Sequence, residues 1–121
     1  MAIEQEENGK PYDLEERALL FARRVRLFLK TIPRTDGNII DGRQLLRCSG
    51  SIGANYIEAN EALGRKDFLF RMRISRKEAK ESRFFLRLLE PGDAQEAERQ
   101  ALISESVELR SILSSMIRKS E

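Results

Sequence analysis

The sequence predicts an all-α protein, an antiparallel up-and-down bundle of four helices. Apolar residues recur at steps of three and four in four segments, which is the spacing that places them on one face of a helix. Short stretches of proline, glycine and polar residues separate these segments, and no segment alternates as a strand does. Because short connections make consecutive helices antiparallel neighbours, we expect the order up-down-up-down.

Length and composition bound the class of protein. The chain has 121 residues, of which 40% are hydrophobic and 35% charged, with seven glycines and three prolines. These values are typical of one soluble globular domain with long solvated helices. We expect residues 1–12 to form a flexible acidic leader, because they contain too few apolar residues to pack, and residues 13–121 to form a single bundle domain.

The first helix is predicted over residues 13–32. Asp13 and Glu16 have the spacing of a capping box at a helix start. Apolar residues then follow at three- and four-residue steps to the end of the range. Pro33 and Gly37 disfavour further helix and predict that the chain reverses.

The second helix is predicted over residues 38–63, with Asn38 as its N-cap and Gly64 as its C-terminal cap. Its inward face is narrow and partly polar. Gly50 and Gly53 lie inside this helix, where each costs up to about 1 kcal/mol relative to alanine. We therefore expect a neighbouring helix to approach closely at both glycines.

The third helix is predicted over residues 66–90 and the fourth over residues 93–119, with a Pro-Gly pair between them. On the third helix, small residues occupy the middle of the inward line and large residues occupy its ends. This pattern implies a tight central contact with a neighbouring helix. Asp93 and Glu96 repeat the capping spacing at the start of the fourth helix.

Neither a secretion signal nor a membrane span is expected. The first residues carry acids where a signal would carry basic residues, and no apolar run approaches about 18 residues. Cys48, the only cysteine, cannot form an internal disulfide, and we interpret it as a reduced packing residue. We therefore expect a cytoplasmic protein that does not bind membranes.

Basic residues are concentrated in two segments, although the net charge is only +2. Residues 17–34 contain six basic residues and no acid, and residues 65–87 contain nine basic residues and three acids. Each segment carries +6, so the rest of the chain sums to −10. The candidates for nucleic-acid contacts are Arg73, Arg76, Lys77, Lys80, Arg83 and Arg87 on the third helix and Arg23, Arg24 and Lys30 on the first.

Two interpretations of these basic residues remain open. Charged runs usually form a solvated face, balanced here by acids of the fourth helix and of neighbouring subunits. Alternatively, residues at steps of four, three and four share one face of the third helix and contact phosphates. This basic stripe consists of Arg76, Lys80, Arg83 and Arg87. We expect no exposed aromatic residue among the basic residues, since Phe84 and Phe85 are interpreted as core or interface residues, and sequence-specific recognition is not predicted.

A polar cluster is expected near the inward edges of the second and third helices. Its members are Arg47, Ser51, Asn55, Glu58, Glu78 and Glu81. Carboxylates in a bundle can hold a hard cation, but di-iron bundles use Glu-x-x-His motifs and this chain has no histidine. We interpret the cluster as structural, fixing helix register and oligomer choice.

No enzyme is predicted. The sequence has no histidine, no Gly-rich phosphate loop and no nucleophile with a base beside it. Ser51 and Cys48 would each be an isolated candidate. We therefore predict no catalytic residue, no cofactor and no metal.

The first and third helices carry more apolar residues than one core can bury. The additional residues are Leu19, Leu20, Leu27 and Leu29 on the first helix and Leu69, Phe70, Phe84 and Phe85 on the third. Exposed apolar patches usually mark protein contacts, and a closed homo-oligomer covers them. The sequence therefore predicts self-association.

Several motifs resemble those of the four-helix-bundle family of 23S rRNA-intervening sequence proteins, which are encoded within bacterial large-subunit ribosomal RNA genes. The resemblance covers roughly Leu20 to Ile117. Its most specific segments are residues 44–47, 51–59, 66–68, 74–81 and 85–89. The chain departs from the family signature at Ala59 and Asn60, where the family has a glycine after the glutamate, so backbone details tied to that glycine do not transfer.

This resemblance implies a left-handed antiparallel bundle that assembles into a ring-shaped homopentamer, in a family with no assigned biochemical activity. The accessory variability protein of diversity-generating retroelements is more distantly similar, and in it a basic surface binds nucleic acid and a reverse transcriptase. We expect a non-catalytic binding or scaffolding component that contacts RNA, DNA, a ribonucleoprotein or a reverse-transcriptase-like protein. The alternative is a protein–protein adaptor with no nucleic-acid role.

Overall fold

Four long helices form the protein in a computed structural model, which describes residues 3–5 and 11–121. They are α1 (Leu14–Leu29), α2 (Asp36–Asn60), α3 (Arg65–Leu88) and α4 (Glu96–Ser120), and a short 3₁₀ turn at Asp93–Gln95 precedes α4. Consecutive helices pack against each other, and α1 also contacts α4. The predicted all-α, up-and-down four-helix bundle is confirmed.

Two short strands precede the bundle. β1 (Ile3–Gln5) and β2 (Pro11–Asp13) pair antiparallel, with Ile3 opposite Asp13. The absence of strands predicted from the sequence is therefore wrong here, because three residues are too few to show an alternating pattern. The predicted flexible leader overlaps this pair, and its residues 1–2 and 6–10 lie outside the described residues.

The start of α1 agrees with the sequence, but its end lies earlier than predicted. The carboxylate of Asp13 accepts a hydrogen bond from the backbone N–H of Glu16 at 3.3 Å. The helix stops at Leu29, and the hydroxyl of Thr31 donates to the carbonyl of Phe28 at 2.7 Å, competing with the helical pattern. Ile32, predicted as the last helical residue, remains buried beyond the helix end.

Thr35, and not Asn38, is the N-cap of α2. The Thr35 hydroxyl accepts a hydrogen bond from the backbone N–H of Asn38 at 3.1 Å. Asn38 is buried, and its side-chain amide donates to the carbonyls of Pro33 at 2.9 Å and Glu90 at 2.8 Å. Its side-chain oxygen accepts from the backbone N–H of Glu90 at 3.0 Å. The wrong N-cap is explained by two good cap residues, Thr35 and Asn38, that lie three positions apart. The side-chain amide of Asn38 instead joins the α1–α2 turn to the residues that follow α3.

The link between α2 and α3 also differs from the prediction. Because α2 ends at Asn60 and α3 begins at Arg65, Gly64 is the N-cap of α3 and not the C-terminal cap of α2. Gly64 supplies no side-chain hydrogen bond there. A short link between two helices allows a glycine to belong to either end, and the sequence alone does not distinguish them.

The core contains side chains from all four helices. Its largest fully buried members include Phe21 of α1, Ile52 and Tyr56 of α2, Met72 of α3 and Leu109 of α4. Tyr56, and not its predicted neighbour Asn55, lies on the inward line of α2, because four residues from Ile52 continues the buried face better than three.

The predicted tight contact at the middle of α3 is present. Ser75, Ala79 and Ser82 are all buried, and the hydroxyl of Ser75 donates to the carbonyl of Ile52 in α2 at 2.7 Å. This distance requires the two helix backbones to approach closely.

Among the described residues, no helix is long and apolar enough to cross a membrane.

The glycines of α2 differ in their surroundings. A Cβ atom at Gly53 would lie 3.4 Å from the Cβ of Ala18 in α1, as expected for a close helix contact. A Cβ atom at Gly50 would meet nothing within 4 Å. The expected close approach is therefore wrong for Gly50, since the faces of two packed helices diverge within one turn of their contact.

Most of the additional apolar residues lie at the surface. Leu19, Leu20, Leu27, Phe70 and Phe84 are 42%, 58%, 63%, 57% and 56% exposed, respectively. Leu29 and Phe85 are half-buried and pack against the core. Leu69 is buried, because it lies three residues before Met72 on the core face of α3.

Candidate nucleic-acid interface

The basic stripe runs along α3 from Arg76, which contacts α4, to the outward face, where Lys80 also borders α2. The Arg76 guanidinium donates to the hydroxyl of Ser114 in α4 at 3.5 Å, and Arg99 of α4 donates to the carbonyl of Arg87 at 3.2 Å. Lys80 and Arg87 are exposed, whereas Arg76 and Arg83 are half-buried. The Nε atom of Arg83 is buried and has no hydrogen-bond partner among the described residues.

None of the four stripe residues forms an ion pair with a described residue. The other two candidates on α3 have acidic neighbours: Arg73 contacts Glu121 at 2.8 Å, and the Nζ of Lys77 lies 3.9 Å from Glu78. The structure therefore places Arg76, Lys80, Arg83 and Arg87 along one side of α3, with no ion pair to any described residue.

The acids of α4 face elsewhere. Glu105 and Glu108 contact Arg17 of α1 at 2.6 and 3.8 Å, and Glu98 contacts Arg24 of α1 at 3.4 Å. Glu96 pairs within α4 with Arg99 at 2.8 Å. Acids of the fourth helix thus balance part of α1, as one of the two interpretations expects, but they do not balance the basic stripe.

The remaining candidates on α1 do not join the basic stripe. Arg24 is paired with Glu98, whereas Arg23 and Lys30 are exposed and form no ion pair among the described residues. Lys30 lies at a groove of about 450 Å³ beside the α1–α2 turn. The other basic residues lining this groove are Arg26, Arg34 and Arg43.

The polar cluster centres on Arg47. Its guanidinium contacts Glu78 at 3.4 Å and Glu81 at 3.2 Å, and its pKa is raised, first by the hydrogen bond with Glu81 and also by the charge of Glu78. Glu78 is 6% exposed and is the buried acid of the cluster. Glu58, predicted as a member, is exposed and is not part of the cluster. Periodicity placed it near the edge of the inward face of α2 but did not fix the direction of its side chain.

The remaining members form a chain of hydrogen bonds along α2. The hydroxyl of Ser51 donates to the carbonyl of Arg47 at 3.0 Å, and the amide of Asn55 donates to the carbonyl of Ser51 at 2.9 Å. Arg71 of α3 donates to the side-chain oxygen of Asn55 at 3.4 Å. These contacts link α2 to α3.

An exposed aromatic residue lies among the basic residues, contrary to the prediction. Phe84 is 56% exposed beside a shallow pocket of about 500 Å³ between α2 and α3, which we call the Phe84 pocket. The pocket is lined by Gln44, Arg47, Lys77, Lys80, Glu81 and the two phenylalanines Phe84 and Phe85. Of the two alternatives predicted for Phe84, a core residue or an interface residue, the first is wrong and the second stays a prediction. The steps of three and four from Lys77 to Lys80 to Phe84 place all three on one outward face, and this signal was present in the sequence.

Comparison with known proteins identifies relatives of this architecture. Residues 11–115 match the sequence model of the family described as 23S rRNA-intervening sequence protein. The chain also resembles the 1.70 Å crystal structure of a protein of unknown function from the S23 ribosomal protein family of Bacteroides thetaiotaomicron VPI-5482. That match has a TM-score of 0.76 and 30% sequence identity, and covers 86% of this chain and 97% of the other. A search of curated proteins gives no match.

Proposed function

The chain belongs to the 23S rRNA-intervening sequence protein family, and from this membership and the surface of α3 we propose that it is a non-catalytic, homo-oligomeric bundle that binds RNA or DNA. The partner is nucleic acid alone or within a ribonucleoprotein. The proposed location is the bacterial cytoplasm, where such partners occur.

One observation carries the proposal: the basic stripe has no acidic partner among the described residues, although α4 beside it contains acids. Each glutamate of α4 has a cation elsewhere, on α1 or within α4, and Glu121 pairs with Arg73. Clustered cations repel one another unless an anion neutralises them. Phosphates of a nucleic acid supply such anions.

The dimensions of the basic stripe suit a phosphate backbone. Arg76 and Arg87 are separated by eleven positions, which correspond to about 16 Å of helix. Phosphates of a duplex strand follow one another at about 3.4 Å along the axis, so several fall within this length. Arginine contacts phosphate with two parallel hydrogen bonds, whereas lysine acts as a point charge. These contacts fix position and do not read sequence.

Self-association would repeat the basic stripe around a ring. Leu20 and Leu27 are separated by seven positions, lie on the same side of α1 and are 58% and 63% exposed. A second copy of the chain that covers them would remove apolar surface from water. A homopentamer would present five stripes, which raises avidity without a new contact.

Exchange of two exposed stripe residues tests the proposal. We expect Lys80→Gln with Arg87→Gln to weaken binding of labelled structured RNA and duplex DNA, measured by fluorescence anisotropy at low salt, because two phosphate contacts are lost. The matched control is Arg65→Gln with Lys66→Gln, which removes the same charge from the exposed first turn of α3. Equal loss in both variants, or no binding by the native protein, would contradict the proposal.

A protein–protein adaptor is the second candidate function. The groove beside the α1–α2 turn combines four basic residues with apolar ones, among them Leu29 and Ile39. Such a surface suits an acidic amphipathic segment of another protein. Binding there would depend less on salt than phosphate binding does, because buried apolar area contributes to it.

A further inference from the structure

We propose that Phe84 is a stacking platform for an unpaired base, so that the nucleic acid bound at α3 is single-stranded at this point. The inference rests on the proposed function and names the form of nucleic acid that this surface takes. Stacking on an aromatic ring tolerates any base, since every base has a π face.

The ring of Phe84 packs against Phe85 on one side and is exposed on the other. Its centroid lies 5.4 Å from that of Phe85, with the two planes at 80°. Phe85 is half-buried and packs against the core, so it fixes the position of its neighbour. More than half of Phe84 nevertheless remains accessible to a ligand.

The charges around the ring suit a nucleotide. Lys77 and Lys80 line the Phe84 pocket, and both are exposed. Lys80 also belongs to the basic stripe, so the ring and the phosphate-contacting surface are continuous. A strand that follows the stripe can therefore place a base on Phe84 while its phosphates contact lysines.

The acids near the pocket do not oppose this arrangement. Glu81 contacts Arg47 at 3.2 Å, and Arg47 also compensates the buried Glu78 at 3.4 Å. Arg47, Lys77 and Lys80 line the pocket with Glu81, and the buried Glu78 lies beside Arg47 and Lys77, so three cations face two acids and the net charge is +1. The local charge favours a phosphate-bearing ligand over an uncharged one.

Phe70 provides an internal comparison. It lies on the same helix and is 57% exposed, but the guanidinium of Arg71 lies over its ring, 5.8 Å from the centroid. A cation–π contact within the chain already uses this ring. No cation lies over the ring of Phe84 among the described residues. We therefore assign stacking to Phe84 and not to Phe70.

A unique fluorophore makes the inference testable. The chain has no tryptophan, so Phe84→Trp and the control Phe70→Trp each place one reporter on α3. Titration with a short oligouridylate at low salt should quench the fluorescence of Phe84→Trp, because a stacked base quenches an indole. A blunt duplex should not quench it, and Phe70→Trp should not respond to either. Equal quenching at both positions, or by the duplex, would overturn the inference.

The affinity of Phe84→Leu separates this inference from the proposed function. Leucine keeps the apolar contact but cannot stack, so we expect single-strand affinity to fall about fivefold or more, with duplex affinity unchanged. If single strands and duplexes bind Phe84→Leu as they bind the native protein, only the stacking inference fails. If no nucleic acid binds the native protein, the proposed function fails and the inference fails with it. A change in Phe84→Trp emission that follows protein concentration and not RNA would instead assign the ring to a contact between copies and overturn the inference.

Discussion

Arg47 compensates a carboxylate that would otherwise be buried nearly alone. Glu78 is 6% exposed, and its other cationic neighbour, Lys77, is 3.9 Å away and itself exposed. Removing one partner of such a pair leaves an unpaired charge, which costs more than the pair contributes when intact. The same guanidinium also contacts Glu81 beside the Phe84 pocket, so a structural residue contributes to the charge of the candidate site.

We expect Arg47→Met to lower the free energy of unfolding by about 1–3 kcal/mol, measured by urea denaturation. The lower part of this range takes account of Arg47 being half exposed, so that water screens the pair. Arg43→Met, one turn earlier on α2 and exposed, should change stability by less than about 0.5 kcal/mol. Adding Glu78→Gln should recover part of the loss. Equal effects of the two single exchanges would contradict this account of Arg47.

The ends of the helices are held by side chains that come from other elements. Arg99 of α4 donates to the carbonyls of Leu86, Arg87 and Leu89 at 3.4, 3.2 and 2.9 Å, which satisfies acceptors at the C-terminal end of α3. Glu96 holds the same guanidinium at 2.8 Å. Asn38 performs a similar role between the α1–α2 turn and Glu90.

The capping box predicted for Asp93 and Glu96 is wrong, because no side chain caps the start of α4 and Glu96 contacts Arg99 and Gln100 instead. These contacts of Glu96 predict a pH dependence. Hydrogen bonds from Gln100 and Arg99 lower the pKa of Glu96 below its ordinary value. Because its pKa is lower in the folded state, the ionised group stabilises the fold above the pKa of the unfolded chain, and this contribution is lost as pH falls through the folded pKa. We therefore expect Glu96→Gln to be less stable than the native protein at neutral pH, and the difference to vanish in acid.

Urea denaturation of the two proteins over a pH series measures this difference. Glu61→Gln, at an exposed position outside the helices, is a suitable control and should show no such trend. A difference that grows as pH falls would contradict stabilisation by the ionised carboxylate of Glu96.

The glycines of α2 give a second prediction at the scale of elements. We expect Gly50→Ala to raise the free energy of unfolding by about 0.5–1 kcal/mol, because the added Cβ atom meets nothing and alanine favours helix. Gly53→Ala should gain less, since its Cβ would contact that of Ala18 at 3.4 Å. Thermal and urea unfolding measure both. Loss of stability in Gly50→Ala would indicate that another molecule packs against this position.

Sequence reasoning recovered the bundle because it depends on periodicity, which is local. Four apolar repeats and three turns are enough to define four antiparallel helices. Helix ends were less well predicted, since Thr35 and Asn38 are both good caps and only packing selects between them. The burial of Glu78 in place of Glu58, and the pairing of α4 acids with α1, depend on which helices are neighbours in three dimensions. Phe84 was counted among the apolar residues that one core cannot bury, but its spacing to Lys77 and Lys80, which places it among exposed cations, was not used.

Assembly of the whole molecule is predicted by its exposed apolar residues. We expect light scattering at micromolar concentration to give a multiple of 14.0 kDa, and five times that mass for the proposed pentamer. Leu20→Glu with Leu27→Glu should dissociate the assembly while circular dichroism still shows helix. Leu63→Glu is the control, because Leu63 is 102% exposed outside the helices. A native mass of 14.0 kDa would contradict the prediction.

The salt dependence of nucleic-acid binding tests the central claim most directly. For duplex DNA, the logarithm of the binding constant falls with the logarithm of salt concentration, with a slope of about −0.9 for each phosphate neutralised. We predict a steep slope for the native protein, a slope shallower by about 2 for Lys80→Gln with Arg87→Gln, and no change for Arg65→Gln with Lys66→Gln. The same slope in all three proteins, or no binding at low salt, would contradict the claim that the basic stripe of α3 binds phosphates.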